Sequence, residues 1–262
     1  DSRQVYRGLD IGTGKVTKDE MQGIPHHLLD VADPKETYTV ADFVRDSRNA
    51  IEEIQSRGKL PIIVGGTFLY VDSLLGKVST PEVPPNPELR AQLETLSNKT
   101  LFLSLKEKDP ERAQTIDASN KRRLIRALEI IDSIGLVPNT KSEDLYNHLF
   151  IGITISKEKL FENISKRLTD RIELGMIDEV QNLQANGLSF ERLAELGIEY
   201  KYTIDFLQNK ISKEEMQDQI VTKSMQYAKR QLTWLKRNAA IHWFGLEESL
   251  KVEELVEVFR TS

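Results

Sequence analysis

Four polar residues with complementary chemistry begin the sequence. Asp1, Ser2, Arg3 and Gln4 supply a carboxylate, a hydroxyl, a guanidinium and an amide in consecutive positions. A carboxylate can accept a proton from a reacting group, and the amide and guanidinium can read the edge of a base. A solvated polar segment is the common alternative for such a cluster.

A glycine turn is the second candidate for chemistry. Gly65, Gly66 and Thr67 follow the apolar run Leu60–Val64, which has the composition of a buried parallel strand, and precede a predicted helix at 68–75. Ligands bind at such strand-to-helix turns because free N–H groups point into them. Glycine allows close approach to the backbone and Thr67 adds a hydroxyl, although an ordinary tight turn has the same composition.

Basic residues recur at helical spacing and could bind phosphates. Arg122 and Arg126 are four residues apart in a helix that Ser119 is predicted to cap, so they share a face. The alternative is a solvated face with ion pairs, for example to Glu129. Arg167 and Arg171 repeat the spacing.

The densest basic stretch, 229–237, includes Lys229 and Arg230 and has an aromatic residue within it. Basic residues interleaved with aromatics are typical of RNA contacts. Trp234 is instead predicted to be a core residue. His26 and His27 match no metal motif and are interpreted as structural.

The order of predicted strands and helices around these residues indicates an α/β core interrupted by a helical segment. The core is expected at 1–79 and 143–262, and the helical segment at 80–142, after a stretch with four prolines in 79–87. Predicted strands are His26–Ala32, Leu60–Val64, Leu149–Ser156 and Ile241–Phe244. Predicted core helices are Ala41–Ser56, 68–75, 157–174, 176–185 and 213–237.

Composition limits the possible classes of protein. The 262 residues are 39% hydrophobic and 29% charged, as in globular proteins, and no apolar run is long enough to span a membrane. The absence of cysteine excludes disulfides and thiolate metal sites and agrees with a reducing compartment. Because the net charge is −5, an RNA partner must be bound by local basic patches.

Six segments in consistent order resemble one family, the tRNA isopentenylpyrophosphate transferases, or tRNA dimethylallyltransferases. They are DSRQVYRGLDIGT (1–13), GIPHHLLDVADP (23–34), YTVADF (38–43), LPIIVGGTFLY (60–70), RLIRALE (123–129) and QYAKRQLTWLKR (226–237). The chain resembles the bacterial form, since it lacks a cysteine-containing zinc finger. The resemblance implies a P-loop-type, nucleotide-binding parallel sheet with an inserted helical tRNA-binding subdomain.

The resemblance also implies a reaction and its participants. A dimethylallyl group passes from dimethylallyl diphosphate to the N6 amine of the adenosine on the 3′ side of the tRNA anticodon. Asp1 is implied as general base, and Thr67 and Arg171 as catalytic groups on the diphosphate. Mg²⁺ is the implied cofactor, and a cytoplasmic monomer without membrane contact is expected.

Two larger sets follow from the same resemblance. The diphosphate is expected to contact Gly65, Gly66, Thr67, Arg171, Lys229 and Arg230. The tRNA is expected to contact Asp1, Ser2, Arg3, Gln4, Arg90, Arg122, Arg123, Leu124, Ile125, Arg126, Leu196, Gly197, Ile198, Glu199, Tyr200 and Lys201.

The sequence departs from the family pattern at several points. It contains no GxTxxGK[ST] phosphate-binding loop or first strand, so the 262 residues by themselves are expected to be inactive. Glu199 stands where glycine is usual, and Ser224 and Met225 replace the usual Thr and Arg. Two alternatives stay open: a tRNA-binding remnant without catalysis, and an isopentenyltransferase acting on free adenine nucleotides.

Overall fold

The computed structural model describes residues 1–78, 81, 83–138 and 144–261, which form two compact units. The first unit comprises the described residues of 1–74 and 146–262, and the second those of 75–145. The boundaries predicted from sequence, at 79/80 and 142/143, lie outside the described residues. The elements of the first unit are α1 (Val40–Ser56), α2 (Phe68–Leu74), β1 (Phe150–Thr154), α7 (Lys157–Glu173), α8 (Met176–Ala185), α9 (Phe190–Leu196), α10 (Ile198–Leu207), α11 (Lys213–Leu235), β2 (Ile241–Gly245) and α12 (Ser249–Thr261). Those of the second are α3 (Pro87–Glu94), α4 (Asn98–Lys108), α5 (Pro110–Thr115) and α6 (Lys121–Ile134).

The first unit combines helices with a small parallel sheet, so the predicted α/β class is confirmed. Strands β1 and β2 pair in parallel, with Phe150 opposite Ile241, as expected for the apolar runs at 149–156 and 241–244. Glycine at position 152 leaves room for the ring of Trp243 on the neighbouring strand, since a Cβ there would lie 2.7 Å from that ring. None of the helices in the described ranges is long and apolar enough to cross a bilayer.

Two predicted strands are wrong. Residues 60–64 pair with no strand in the described part of the chain, and Ile62 and Val64 are 78% and 80% exposed. An extended segment needs hydrogen-bonding neighbours to become a strand, and β1 and β2 pair with each other. In 26–32 the only bridge joins Ala32 to Tyr6, because Leu28 and Asp30 have positive φ values that interrupt an extended chain.

Most predicted helices are confirmed, with local signals that explain their ends. A capping box of Thr39 and Asp42 begins α1, and Gly58, with φ of 67°, follows its end. The helix packs on α2 through a cluster that includes Phe43, Ile51 and Leu74. The helices α9, α10 and α12 were not predicted.

The core of the first unit fixes the N-terminal loop, which carries the first candidate residues. Val5 and Leu9 are fully buried against Val180, Leu193 and Tyr200. These partners lie on α8, α9 and α10. Burial of apolar side chains on this scale is worth about 1.5–3 kcal/mol each, so the loop is held by the core and the candidate residues are held with it.

The second unit has its own core, in which α4 and α6 pack through fully buried leucines. Leu101 and Leu105 of α4 meet Leu124 and Leu128 of α6. The helical character predicted for this block is confirmed. Asn120, and not Ser119, is the N-cap of α6, while Ser119 bonds to Asp117.

Candidate active site and RNA-facing residues

The carboxylate of Asp1 is oriented by the turn that follows it. Its Oδ1 accepts hydrogen bonds from the N–H groups of Arg3 (2.7 Å) and Gln4 (3.3 Å). Asp1 is exposed, and its Oδ2 accepts no hydrogen bond from the part of the chain described. The next residue, Ser2, places its Oγ 2.9 Å from Oγ1 of Thr67. The sequence neighbour of Asp1 therefore contacts the hydroxyl of the glycine turn.

Helix α11 closes on the glycine turn. Gln231 donates from Nε2 to the carbonyl of Gly66 (3.1 Å), and a Cβ at Gly66 would lie 1.9 Å from that nitrogen. Trp234 donates from Nε1 to Asp72 on α2 (3.0 Å). It is half-buried and ties the two helices together, so its prediction as a core residue holds only in part.

The basic residues of α11 lie on the helix whose Gln231 contacts the turn. Lys229 and Arg230 are exposed, and the Arg230 guanidinium lies 5.8 Å from the ring centroid of Tyr227. Gly65 is exposed, and a Cβ there would meet no atom within 4 Å. Of the two glycines, only Gly66 is packed against another side chain.

Arg171, in the last turn of α7, is a mostly buried cation. Its Nη1 donates to the carbonyl of Gly12 (3.2 Å) and to Oε1 of Glu199 (3.0 Å). The side chain is 15% exposed and that of Glu199 is 20% exposed. Burial lowers the pKa of the guanidinium, and the negative charge of Glu199 opposes that shift.

Glycine at position 14 makes room for this cation. Gly14 has φ of 59°, and a Cβ there would lie 1.9 Å from Nη2 of Arg171. Gln4 braces the same loop by donating from Nε2 to the carbonyl of Gly14 (3.0 Å) and accepting from the N–H of Val16 (3.4 Å). Half-buried Gln4 thus makes protein contacts where base reading was expected.

Sequence reasoning missed Glu179, which binds the backbone of the N-terminal loop at residues 10–12. Its carboxylate accepts hydrogen bonds from the N–H groups of Asp10 (2.9 Å), Ile11 (2.6 Å) and Gly12 (3.0 Å), and from the hydroxyl of Tyr200 (2.8 Å). Burial, and then the charge of Glu179, raise the pKa of Tyr200, so it serves as a neutral donor. One acidic residue on a helix gives no sequence signal for such a role.

Lys15 was missed as well. Its side chain is 7% exposed, and Nζ pairs with Asp10 (2.6 Å) and Asp30 (2.5 Å) and donates to the carbonyl of Tyr6 (2.8 Å). The lysine joins the ends of the N-terminal loop. These contacts stabilise the shape of the loop that carries Gly12 and Gly14.

Several side chains expected at the RNA surface lie in the core instead. Leu124, Ile125, Leu196 and Tyr200 are at most 4% exposed. Their side chains form the apolar faces of their helices, so the expected direct contact is corrected. Glu199 faces Arg171 and uses its carboxylate in a protein ion pair.

The expected RNA residues that remain at or near the surface are of mixed character. Gly197 and Ile198 are half-buried at the junction of α9 and α10. Arg3, Arg122, Arg123 and Lys201 are exposed. These four cations are available to phosphates.

Arg90 and Arg126 belong to an ion cluster of the second unit that is built around one buried carboxylate. Glu129 is 1% exposed and accepts two hydrogen bonds from Arg90, both of 2.8 Å, and one from the N–H of Asn86 (2.7 Å). Arg126 pairs with the same carboxylate and donates to the carbonyl of Val83. Burial alone would raise the pKa of Glu129, but the hydrogen bonds from Arg90, Asn86 and Arg126 lower it to about 2. The ion-paired alternative for Arg126 thus applies.

The first unit combines an exposed carboxylate, a threonine hydroxyl at a glycine turn and a helix with exposed basic residues, which are groups that a transferase acting on a phosphorylated substrate uses. The model of the IPP transferase family matches residues 4–238, and the chain belongs to that family. Curated relatives include the tRNA dimethylallyltransferase of Bacillus mycoides, 40% identical over 266 residues, covering 98% of this chain and 83% of the relative. That of Thermomicrobium roseum is 39% identical, covering 98% of this chain and 80% of the relative.

Solved structures agree with this assignment. The tRNA isopentenylpyrophosphate transferase of Bacillus halodurans is 37% identical with a TM-score of 0.72, covering 100% of this chain and 86% of that protein. A eukaryotic dimethylallyltransferase, described in snapshots of its action on tRNA, is 27% identical with a TM-score of 0.83, covering 100% of this chain and 72% of that protein. The similarity therefore extends over the whole chain.

Proposed function

We propose that this protein transfers a dimethylallyl group from dimethylallyl diphosphate to the N6 amine of the adenosine that follows the tRNA anticodon. Membership of the IPP transferase family and the names of relatives at about 40% identity support the reaction. The observation that carries the proposal is the hydrogen bond of 2.9 Å between Ser2 and Thr67. It joins Ser2, the sequence neighbour of Asp1, to the hydroxyl of the glycine turn, which supports Asp1 as the base for the amine and Thr67 as a hydroxyl for the diphosphate in one site.

The chemistry divides between these two sides. The amine nitrogen forms a bond to the first carbon of the dimethylallyl group, and the bond from that carbon to the diphosphate oxygen breaks. Asp1 accepts the amine proton as the new bond forms, which is typically worth 10²–10⁴ in rate. The departing diphosphate carries the electron pair, and Thr67 and Arg171 stabilise its charge.

Exposed cations supply the RNA side of the proposal. Lys229 and Arg230 are exposed on α11, the helix that contacts the glycine turn. Arg122 and Arg123 are exposed at the start of α6. Guanidinium and ammonium groups bind phosphates without reading sequence, so they would hold the anticodon stem-loop by its backbone. Extruding the target adenine costs only a few kcal/mol in a loop.

We also propose Mg²⁺ as a companion of the diphosphate. The described residues contain no group of three or more His, Asp or Glu side chains suited to a metal. Mg²⁺ commonly binds substrate phosphates and keeps several waters, with one or two protein carboxylates. A site of that kind needs fewer carboxylates than such a group, so the diphosphate itself would supply most of the ligands of Mg²⁺.

The reaction is tested by supplying labelled dimethylallyl diphosphate, Mg²⁺ and an anticodon stem-loop to the full chain, meaning the 262 residues joined to an upstream GxTxxGK[ST] phosphate-binding loop. The 262 residues by themselves, which are expected to be inactive, are the control. We expect label on the adenine next to the anticodon, with AMP a poor acceptor and a poor competitor in a gel shift. Transfer to AMP at equal efficiency would favour the free-nucleotide alternative. Binding of the stem-loop without transfer would favour the remnant. A cytoplasmic monomer stays the expected setting for a tRNA substrate.

A further inference from the structure

The ion pair of Arg171 with Glu199 leaves the Nε and Nη2 edge of the guanidinium without a hydrogen-bond acceptor among the described residues, and we call this the open edge. Arginine carries five N–H groups on three nitrogens. Both acceptors that the described residues provide, the carbonyl of Gly12 and Oε1 of Glu199, lie on Nη1. Nε and Nη2 have no acceptor among the described residues, and they form the edge with which arginine binds two oxygens of a phosphate at once.

Helix ends explain why the pair forms at this place. Arg171 lies in the last turn of α7 and Glu199 in the first turn of α10. Cations are favoured at helix C-termini and anions at N-termini, so each side chain complements its own helix. The N-cap of α10 is Gly197, which makes no side-chain cap, and Glu199 supplies the negative charge that this end otherwise lacks.

Packing fixes the guanidinium from the other side. Gly14 lies against Nη2, where a Cβ would come within 1.9 Å, and Glu179 holds the N–H of Gly12 and so the carbonyl that Nη1 binds. Glu199 completes this set as the only carboxylate paired with Arg171 among the described residues. Without it, one carbonyl would hold a flexible side chain.

We propose that Glu199 is a positioning residue for Arg171, which it holds so that the Nε and Nη2 edge is presented to the leaving diphosphate. This inference rests on the proposed function. It replaces the expected RNA contact of Glu199, and it accounts for an acidic residue where the family pattern has glycine. Glu199 touches neither substrate and acts only through the guanidinium.

The test uses inorganic pyrophosphate, the product, as the probe of the open edge. Its binding to the full chain is measured by calorimetry and its inhibition of transfer by kinetics, in the wild type and in Glu199→Ala. Loss of a hydrogen bond to a charged group typically weakens binding about tenfold, so we expect about tenfold weaker pyrophosphate binding in Glu199→Ala. We also expect a higher KM for dimethylallyl diphosphate and an unchanged affinity for the stem-loop.

Two further variants separate positioning from a general loss of structure. Glu199→Gln retains an acceptor oxygen without the charge and should recover most of the affinity. In an Arg171→Ala background, Glu199→Ala should have no further effect on pyrophosphate. The control is Asp170→Ala, which removes the exposed partner of Lys166 from the same helix and should leave pyrophosphate binding unchanged.

Contrary outcomes are clear. Equal or tighter pyrophosphate binding in Glu199→Ala, failure of Glu199→Gln to recover it, or additive losses with Arg171→Ala would each overturn the inference. If Glu199→Ala does not fold, Glu199→Asp is used instead. Its carboxylate is one methylene farther from Arg171, so the inference requires that it too weakens pyrophosphate binding. A wild-type chain that neither transfers nor binds pyrophosphate would overturn the proposed function, whereas normal transfer with indifferent variants would overturn this inference alone.

Discussion

The hydroxyl of Ser2 lies 2.9 Å from that of Thr67, joining residues 65 positions apart in the chain. The contact fixes the loop that begins with Asp1 against the turn between 60–64 and α2. The N–H groups of Arg3 and Gln4 in turn fix the orientation of the Asp1 carboxylate within this loop. The first two predictions test the two ends of this loop.

Replacing Asp1 by Asn in the full chain should lower single-turnover transfer by about 10²–10⁴. An amide cannot accept the amine proton, yet it can still accept the hydrogen bonds of the turn, so stem-loop binding should persist. Single-turnover kinetics and a binding titration measure the two effects. Asp19→Asn changes another exposed carboxylate and should have no effect. Near-normal turnover in Asp1→Asn would remove the general-base assignment.

Gly14→Ala should weaken pyrophosphate binding by about tenfold, because a Cβ at this position displaces the arginine that binds charged groups. Gly23→Ala is the matched control. Both glycines have positive φ, 59° and 77°, but a Cβ at Gly23 would meet no atom within 4 Å. Each variant should lose about 1–2 kcal/mol of unfolding free energy from backbone strain. Equal pyrophosphate affinities would show that Arg171 does not bind the diphosphate.

Replacing Arg122 and Arg123 by Ala should weaken stem-loop binding and flatten its salt dependence. Both side chains are exposed, and the loss of two phosphate contacts lowers the slope of log K against log salt by about 1–2. Titrations at several salt concentrations give the slope. The unfolding free energy should stay within about 0.5 kcal/mol of the wild type, as for surface changes in general.

Arg90→Ala is the contrasting variant. It removes two hydrogen bonds from a buried carboxylate, so it should cost about 1.5–3 kcal/mol in urea unfolding while leaving the salt slope unchanged. An unchanged slope in the Arg122 and Arg123 double variant would indicate that this face is only solvated.

Acid should destabilise the chain through Glu129. Its pKa falls from an ordinary 4.5 to about 2 in the folded state. A group with a lowered folded pKa stabilises the fold above its unfolded pKa and loses that contribution as the pH falls toward the folded value. This part of the stability should therefore be complete above about pH 4.5 and lost by about pH 2.

The Gln variant isolates this contribution. Glu129→Gln should be less stable at pH 7, and its difference from the wild type should shrink between about pH 4.5 and pH 2. Urea unfolding at several pH values measures the difference. A difference that is constant over this range would contradict the assignment of the lowered pKa to this ion cluster.

Apolar periodicity predicted the long helices because each has one buried face, as α1 shows with Phe43 and Ile51. It failed for α9 and α10, which meet at Gly197 with a φ of 171°. Both helices are short, so the spacing of apolar residues recurs too few times in either to be recognised. The run at 60–64 has the composition of a strand, but composition does not state whether a neighbour is present to pair with it.

The candidate site shows the same division. Asp1, Thr67 and Arg171 could be predicted as catalytic residues from the family resemblance, and their roles stay predictions. Glu179 could not be assigned, because its role depends on three backbone N–H groups about 170 residues away, brought to it by the fold. Arg126 and Arg122 look alike in sequence, and only the buried position of Glu129 distinguishes the structural arginine from the exposed one.

The discontinuity of the first unit bears on how the chain folds during synthesis. Val5 and Leu9 are buried by partners on α8 to α10, so the ribosome must add about 170–190 residues before the N-terminal loop meets its core. The helical unit of 75–145 has short-range contacts and emerges earlier. Val5 and Leu9 must therefore wait with their side chains uncovered, whereas α1 and α2 can already pack on each other. At translation rates of about 5–20 residues per second that interval lasts on the order of ten seconds or more.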